Sequence, residues 1–201
     1  MASVSEHAPP RSPGRPRSAR AHRAILDAAI DLFAEQGYQA MSIEVIAARA
    51  GVGKTTVYRR WPSKEDLIVE AIDELILEVH LPDTGSLRDD LIELLVQLQG
   101  ALTTSRAGAV FPRMAAEVAA GSPLGRKYLD RVVGPRLGML EGVLRRGIER
   151  GELPQDVDVD VVRSMLIGPL ITWKLIGRLQ RRGARARAER IVDTVLRGTR
   201  A

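Results

Sequence analysis

From Arg20 onward the apolar residues recur at three- and four-residue spacing, and no convincing stretch alternates apolar with polar residues in the two-residue period of a strand. That pattern restricts the chain to an all-α fold, because an amphipathic helix has to bury its stripe against another element. Ile25, Ala28, Ala29, Leu32 and Phe33 form the first stripe, ended by Gly37. Ser42 can cap a second, short helix with Ile43, Ile46 and Ala47 facing inward, until Gly51 breaks it. A third runs from about Lys54 to Trp61, where Pro62 stops it. Ser63-Lys-Glu-Asp66 opens a fourth, with Asp66 a weaker stand-in for the acid of a capping box, and the helix is expected to continue to about His80. Longer helices follow: one after Ser86, one over about Ala107 to Ala120, one from Pro123 to about Arg150, and two very apolar ones over about 157 to 176 and 186 to 197.

The charge is unevenly placed. Of 30 Lys+Arg and 25 Asp+Glu in 201 residues, positions 1 to 64 hold ten basic and five acidic. Positions 65 to 173 carry a net of −7 and positions 174 to 201 a net of +7, so the map reads basic, acidic, basic. A basic terminal segment suggests contact with a polyanion, although solvated helix faces give the same tally. There is no cysteine, which excludes disulfide scaffolds, thiolate nucleophiles and Cys-ligated zinc. Aromatics are 3%, too few for a single-strand stacking platform. The longest uncharged apolar run, Ser164 to Trp173, is ten residues and too short for a bilayer. With no apolar stretch at the N-terminus, the chain is expected to be cytoplasmic.

Three short helices between positions 20 and 61, the second and third joined at Gly51, fit a helix-turn-helix. Ala47 is small where the two helices would cross, and Val52 and Val57 can plug the shared core. The other face of the third helix then carries Lys54, Thr55, Thr56, Arg59 and Arg60, which supply donors for guanine edges, hydroxyls for phosphates and methyls for thymine.

The run from Ser42 to Leu67, including Ala47-Ala-Arg-Ala-Gly-Val-Gly-Lys54 and Tyr58-Arg-Arg-Trp-Pro-Ser-Lys64, resembles the DNA-binding signature of the TetR (tetracycline-repressor-like) transcriptional regulators. The resemblance spans about Arg20 to His80; beyond it the chain is similar to that family only in helix order and length. It implies a helix-turn-helix DNA-binding domain over 19–64; the run 1–18 before it, with four of the eleven prolines and almost nothing apolar, reads from its composition as a disordered basic arm. A helical effector-binding and dimerisation domain would occupy 65–201. Residue by residue, it implies phosphate contacts for Ser42, Thr56, Tyr58 and Lys64, and base-edge contacts for Lys54, Thr55 and Arg60. Arg59 falls where the family varies. A homodimer through the last two long helices, a double-stranded DNA operator, and repression released by a small molecule are likewise implied, with no enzyme activity. A DNA-binding regulator without small-molecule control remains an alternative. Trp61 reads better as a core aromatic than as a DNA contact.

Pro13-Gly-Arg-Pro-Arg17 resembles the core of an AT-hook, so Arg15 and Arg17 are candidates for an A·T minor groove; Arg/Pro-rich tails are also often plain disordered segments. Ala48-Arg-Ala-Gly-Val-Gly-Lys-Thr55 matches a relaxed phosphate-loop pattern, the signature of a nucleotide-hydrolysing enzyme. That chemistry needs a buried strand before the loop, and the residues here read as helix. His7, His22 and His80 are scattered, none at ligand spacing with another, so neither a metal nor a cofactor is expected.

In the second half, the last two long helices are more apolar than one subunit of this size requires, which suits a partner helix as well as ordinary core. The basic stretch Arg178 to Arg190 is expected to be a loop and the start of the last helix, a weak rival for nucleic acid. Pro112, Pro135 and Pro169 interrupt helical patterns and are expected to bend them. Bent helices pack imperfectly, so a cavity for a small, largely apolar effector is expected near Phe111, Met114, Met139, Leu166 and Trp173.

Overall fold

The computed structural model describes residues 15–76, 80–103 and 105–199, without the side chains of residues 15–17, 105 and 107. Residues 1–14, which include Pro13 and Gly14 of the AT-hook-like run, lie outside the described residues. The described residues form helices and connecting turns, with no strand among them. The helices are α1 (Arg15–Gln36), α2 (Ile43–Ala50), α3 (Lys54–Tyr58), α4 (Lys64–Leu75), α5 (Leu87–Thr103) and α6 (Ser105–Ala119), then α7 (Pro123–Tyr128), a π-helical turn (Leu129–Val133), α8 (Gly134–Glu149), α9 (Val159–Leu175) and α10 (Ala184–Gly198).

Four boundaries differ from the sequence reading. Helix α1 begins at Arg15, so Arg15 to Ser18 are helical instead of belonging to a disordered arm. Pro16 sits in the first turn, where its missing N–H has no intrahelical acceptor to lose. Helix α3 ends at Tyr58, and the chain turns through Arg59 and Arg60 before Pro62. Helix α4 ends at Leu75: Ile76 is extended (φ −85°, ψ 114°), and residues 77–79 lie outside the described residues. His80 is not helical, because the Gln97 side-chain amide takes both its backbone groups, at 2.8 and 3.0 Å. The helix expected from Pro123 to Arg150 is divided by the π turn just before Pro135. Proline withholds an N–H from the preceding turn, and a wider turn accommodates that loss.

Helices α1 to α4 enclose one core, in which Ile25, Phe33, Ile46, Val57, Leu67 and Ile68 are fully buried. It does not stop at the end of the helix-turn-helix. Val110 and Met114 of α6, Leu124 of α7 and Val132 of the π turn belong to the same cluster. A second core joins α5, α8, α9 and α10, with α10 lying along α5.

The seam between these parts is also polar. Gly37 ends α1 at φ +78°, a backbone that disfavours any side chain, and a Cβ there would come within 2.9 Å of the Arg113 guanidinium. That guanidinium donates to the carbonyls of Ala34 (3.0 Å) and Glu35 (3.1 Å), two acceptors the helix end leaves open. Arg106 pairs with Asp27 at 2.7 Å and Asp31 at 3.2 Å, tying α6 to α1. Ser63 caps α4 by accepting from the Asp66 N–H at 3.1 Å. Asp66 itself meets Lys127 at 2.7 Å and Arg131 at 2.9 Å, with only 13% of its side chain exposed.

Burial opposes ionisation of Asp66, but hydrogen bonds from Lys127 and Ser63 and the charges of Lys127 and Arg131 outweigh it, holding the carboxyl below its usual range. A carboxyl depressed in the folded state stabilises above its unfolded pKa of ~3.9. That stabilisation is lost as the pH falls toward the folded value. Asp66→Asn is therefore expected to cost about 1–2 kcal/mol at neutral pH. It should also flatten the acid limb of melting temperature against pH; an unchanged limb would assign acid unfolding to other carboxylates.

Candidate nucleic-acid interface and internal cavity

The helix-turn-helix is built by local signals. Ser42 is the N-cap of α2, its hydroxyl oxygen accepting from the Val45 N–H at 3.2 Å. Gly51, at φ +67°, turns the chain out of α2 while its N–H closes on the Ala47 and Ala48 carbonyls. Val57 is fully buried beneath α3, and Trp61 is 2% exposed, donating its Nε1–H to Glu70 at 2.8 Å. Its indole stacks on His22 with ring centroids 5.3 Å apart. The segment Ala48 to Thr55 is thus the end of α2, a glycine turn and the start of α3. The strand that a phosphate loop requires is not there.

The outward side of α3 carries Lys54, Thr55, Tyr58 and Arg59, all exposed, with Thr56 half-buried beside them. Tyr58 is 51% exposed although it is aromatic and adjoins the core residue Val57. Among the described residues no acid pairs with Lys54 or Arg59, in contrast to Arg49, which is held by Glu35 at 2.8 Å. An unpaired cation beside exposed hydroxyls is available to an anionic partner at no cost in broken ion pairs.

Two expected contacts are arranged differently. Arg60 is half-buried and folds back onto α1, donating to the Ser18 carbonyl (3.0 Å) and hydroxyl (2.7 Å), so it does not share the free face of α3. Because α3 ends two residues earlier, Arg60 has left the helical register that would have pointed it outward. Lys64 is also turned inward: its ammonium donates to the Tyr38 carbonyl (2.9 Å) and the Met41 carbonyl (2.7 Å) and lies 3.9 Å over the Tyr38 ring. Burial holds its pKa below the usual lysine range. The Tyr38 hydroxyl donates to Glu65, so the first two residues of α4 clamp the turn between α1 and α2. The side chains of Arg15 and Arg17 lie outside what is described.

In the rival basic stretch, Arg185 pairs with Glu93 at 2.5 Å, and Arg187 bonds to Gln99 at 2.9 Å and to the carbonyls of Gln180 and Arg182. These two cations are already committed within the chain, whereas Arg178, Arg181, Arg182 and Arg190 have no acid partner among the described residues. Sequence spacing also missed the meeting of His22 with Glu74 (3.3 Å) and Glu70 (3.6 Å), because the partners lie on different helices, α1 and α4.

A cavity of about 400 Å³ lies between α4, α5, α6, the end of α7, the π turn, α8 and α9. Phe111, Met114 and Met139 line it as expected from their positions. Leu166 and Trp173 do not: Leu166 is fully buried in the second core, and Trp173 packs on that core with the Arg187 guanidinium 6.0 Å over its ring. Ile167 and Ile171, the neighbouring face of α9, form the wall instead. Each of Pro112, Pro135 and Pro169 stands within two residues of cavity-lining side chains.

Residues 25–71 match the family described as bacterial regulatory proteins, tetR family, and residues 81–195 match the tetracyclin repressor-like C-terminal domain. The chain belongs to the TetR family. It is a helix-turn-helix, DNA-binding transcriptional regulator. The HTH-type transcriptional regulator YdeS of Bacillus subtilis is 35% identical over 164 residues, covering 81% of this chain and 82% of that one. The DNA-binding transcriptional repressor TetR of Mycobacteroides abscessus is 31% identical over 177 residues, covering 83% and 90%. The transcriptional regulator FadR of Bacillus subtilis, solved in complex with stearoyl-CoA, shares the fold with a TM-score of 0.71 at 22% identity, covering 88% of this chain and 98% of that one. Among the described residues no helix is long and apolar enough to cross a membrane.

The two kinds of cation in this TetR-family head are separable. Lys54→Ala is expected to change stability by no more than about 0.5 kcal/mol. Arg60→Ala and Lys64→Ala, which remove internal hydrogen bonds, are expected to cost about 1–2 kcal/mol each. Urea unfolding without DNA measures both; equal stability of all three variants would make Arg60 and Lys64 surface contacts after all.

Proposed function

We propose that this regulator is a dimeric repressor whose Lys54, Thr55 and Arg59 read base edges in the major groove. Ser42, Thr56 and Tyr58 hold phosphates, and a small, largely apolar effector in the cavity releases the DNA. The single observation that carries the reading is α4. Its first residues clamp the helix-turn-helix, and its last ones, Leu75 and the adjoining Ile76, wall the cavity. A ligand that favours a shifted α4 changes the spacing of the two heads and so the affinity for an operator. The kinship with the Mycobacteroides repressor supports repression, and the stearoyl-CoA complex of FadR supports an apolar effector. In this reading Arg60 positions the start of α1, from which Arg15 and Arg17 reach an adjacent minor groove. Lys64 keeps one N–H for a phosphate beside the two it gives to carbonyls.

Selection of bound fragments from random duplex DNA is expected to return a palindrome whose half-sites lie about one helical turn, or a multiple of it, apart. Affinity for it should fall ~10³-fold or more over a few-fold rise in salt. Recovery of no motif, with weak binding to all sequences, would refute base reading by α3.

The dimer is proposed to centre on α9. Val161, Met165, Leu175 and the adjoining Ile176 are 45–57% exposed, and with Gly168 and Thr172 they follow one helical stripe. The apolar residues of α10 differ: Ile191, Val192, Val195 and Leu196 are at most 8% exposed within the chain itself, so α10 contributes its polar side or none. Met165→Glu is expected to give monomers in sedimentation at micromolar concentration, with operator affinity lowered at least tenfold. A stable dimer of this variant would move the interface elsewhere.

A further inference from the structure

The cavity is apolar on nearly every side, and among its lining residues a single charged group stands out: Arg136, on the first turn of α8. Its Nη1 donates to the Val132 carbonyl at 2.8 Å and pairs with Asp73 of α4 at 2.9 Å. Its Nε is shut off and out of a ligand's reach, whereas Nη2 is accessible and makes no hydrogen bond among the described residues. A guanidinium presents five donors in a planar fork suited to a carboxylate or a phosphate, and here those of Nη2 face no acceptor. Tyr128 belongs to the same wall; its phenol is protonated at neutral pH and burial raises its pKa further against the pull of the Arg136 charge, so it is a donor.

From this arrangement we infer that the effector is an amphiphile: an apolar chain filling the cavity and ending in one anionic group held by Arg136 and Tyr128. The inference rests on the cavity being the effector site and adds the chemistry of its occupant. A neutral chain of the same length buries Arg136 further while leaving Nη2 unsatisfied, and an ammonium end repels it. An anionic end supplies the missing acceptor in a site of low dielectric, where a charge-assisted bond is strongest. The same end competes with Asp73 for the guanidinium. Asp73 lies on α4, so an anion bound to Arg136 weakens one of the ionic ties that fix α4 to the body.

The test uses the full chain and four ligands with a common ten-carbon tail, titrated by calorimetry below their micellar concentrations: decanoate, decyl phosphate, decan-1-ol and decylamine. Decanoate, decyl phosphate or both are expected to bind at least tenfold tighter than decan-1-ol, with decylamine weakest. Which of the two anions is preferred distinguishes a carboxylate effector from a phosphorylated one. Arg136→Gln is expected to bring the preference for anions over decan-1-ol close to one while leaving decan-1-ol affinity within about threefold, which also reports that the cavity has folded. Decan-1-ol binding the unaltered protein as tightly as both anions would overturn the anionic end and leave the cavity reading standing. An anion preference that survives Arg136→Gln would overturn the assignment to Arg136. Failure of all four to bind would overturn this inference together with the effector reading of the cavity.

Discussion

Helix α4 closes two interiors at once, and that constraint governs the rest of the molecule. Leu67, Ile68 and Ile72 complete the core under the helix-turn-helix, and that core already includes Val110, Met114, Leu124 and Val132 from the body. Ile72, Leu75 and the adjoining Ile76 also wall the cavity. Full burial of an aliphatic side chain contributes about 1.5–3 kcal/mol, whereas an exposed ion pair contributes about 0–1 kcal/mol. The apolar contacts therefore decide that head and body move as connected parts. The pairs Asp66–Lys127, Asp66–Arg131 and Asp73–Arg136 set the register in which they connect.

From α4 the contacts run outward to α3. Lys64 and Glu65 hold the turn between α1 and α2, and Glu70 holds Trp61, which closes the core behind α3. A tilt of α4 consequently reaches α3 through side chains that are themselves buried or bonded, and little of it can be absorbed by loose surface groups. The small size of α3, five residues, makes this support necessary, since a helix of that length has no stability of its own.

Local chemistry was legible in the sequence to the extent that it is local. Ser42, Gly51 and Ser63 act as caps because their effect depends on three or four neighbouring residues. Periodicity identified the buried stripe of α1 for the same reason, and the fit to a helix-turn-helix identified the buried Val57. It could not say which partner a stripe meets. Leu166 and Trp173, seven residues apart, share a face, but that face packs into the second core, and the adjacent face with Ile167 and Ile171 meets the cavity. Long polar side chains are harder still. Arg60 finds Ser18 and Arg136 finds Asp73 across 42 and 63 residues of chain, and nothing in their own neighbourhoods announces it. The surplus of apolar residues near the C-terminus was visible, but only the fold reveals that α5 absorbs the share on α10 and leaves that on α9 exposed.

The cavity itself resists explanation as a packing accident. Interiors pack to a density that leaves few voids larger than a water molecule. A sealed apolar void of the size found here would forfeit as much as about 10 kcal/mol at the cost per volume seen for core truncations. That is comparable to the entire stability of a domain. The opening to solvent lowers the penalty without abolishing it. Prolines stand beside this gap: Pro112 and Pro169 each deprive a helix of one backbone hydrogen bond next to the cavity wall, and Pro135 starts α8 directly after the π turn. A fold that keeps such a gap is stabilised by whatever fills it, in proportion to the logarithm of the ligand's concentration over its dissociation constant. Because α4 forms part of the wall, that gain is coupled to the helix-turn-helix to the extent that the ligand binds one position of α4 more tightly than another.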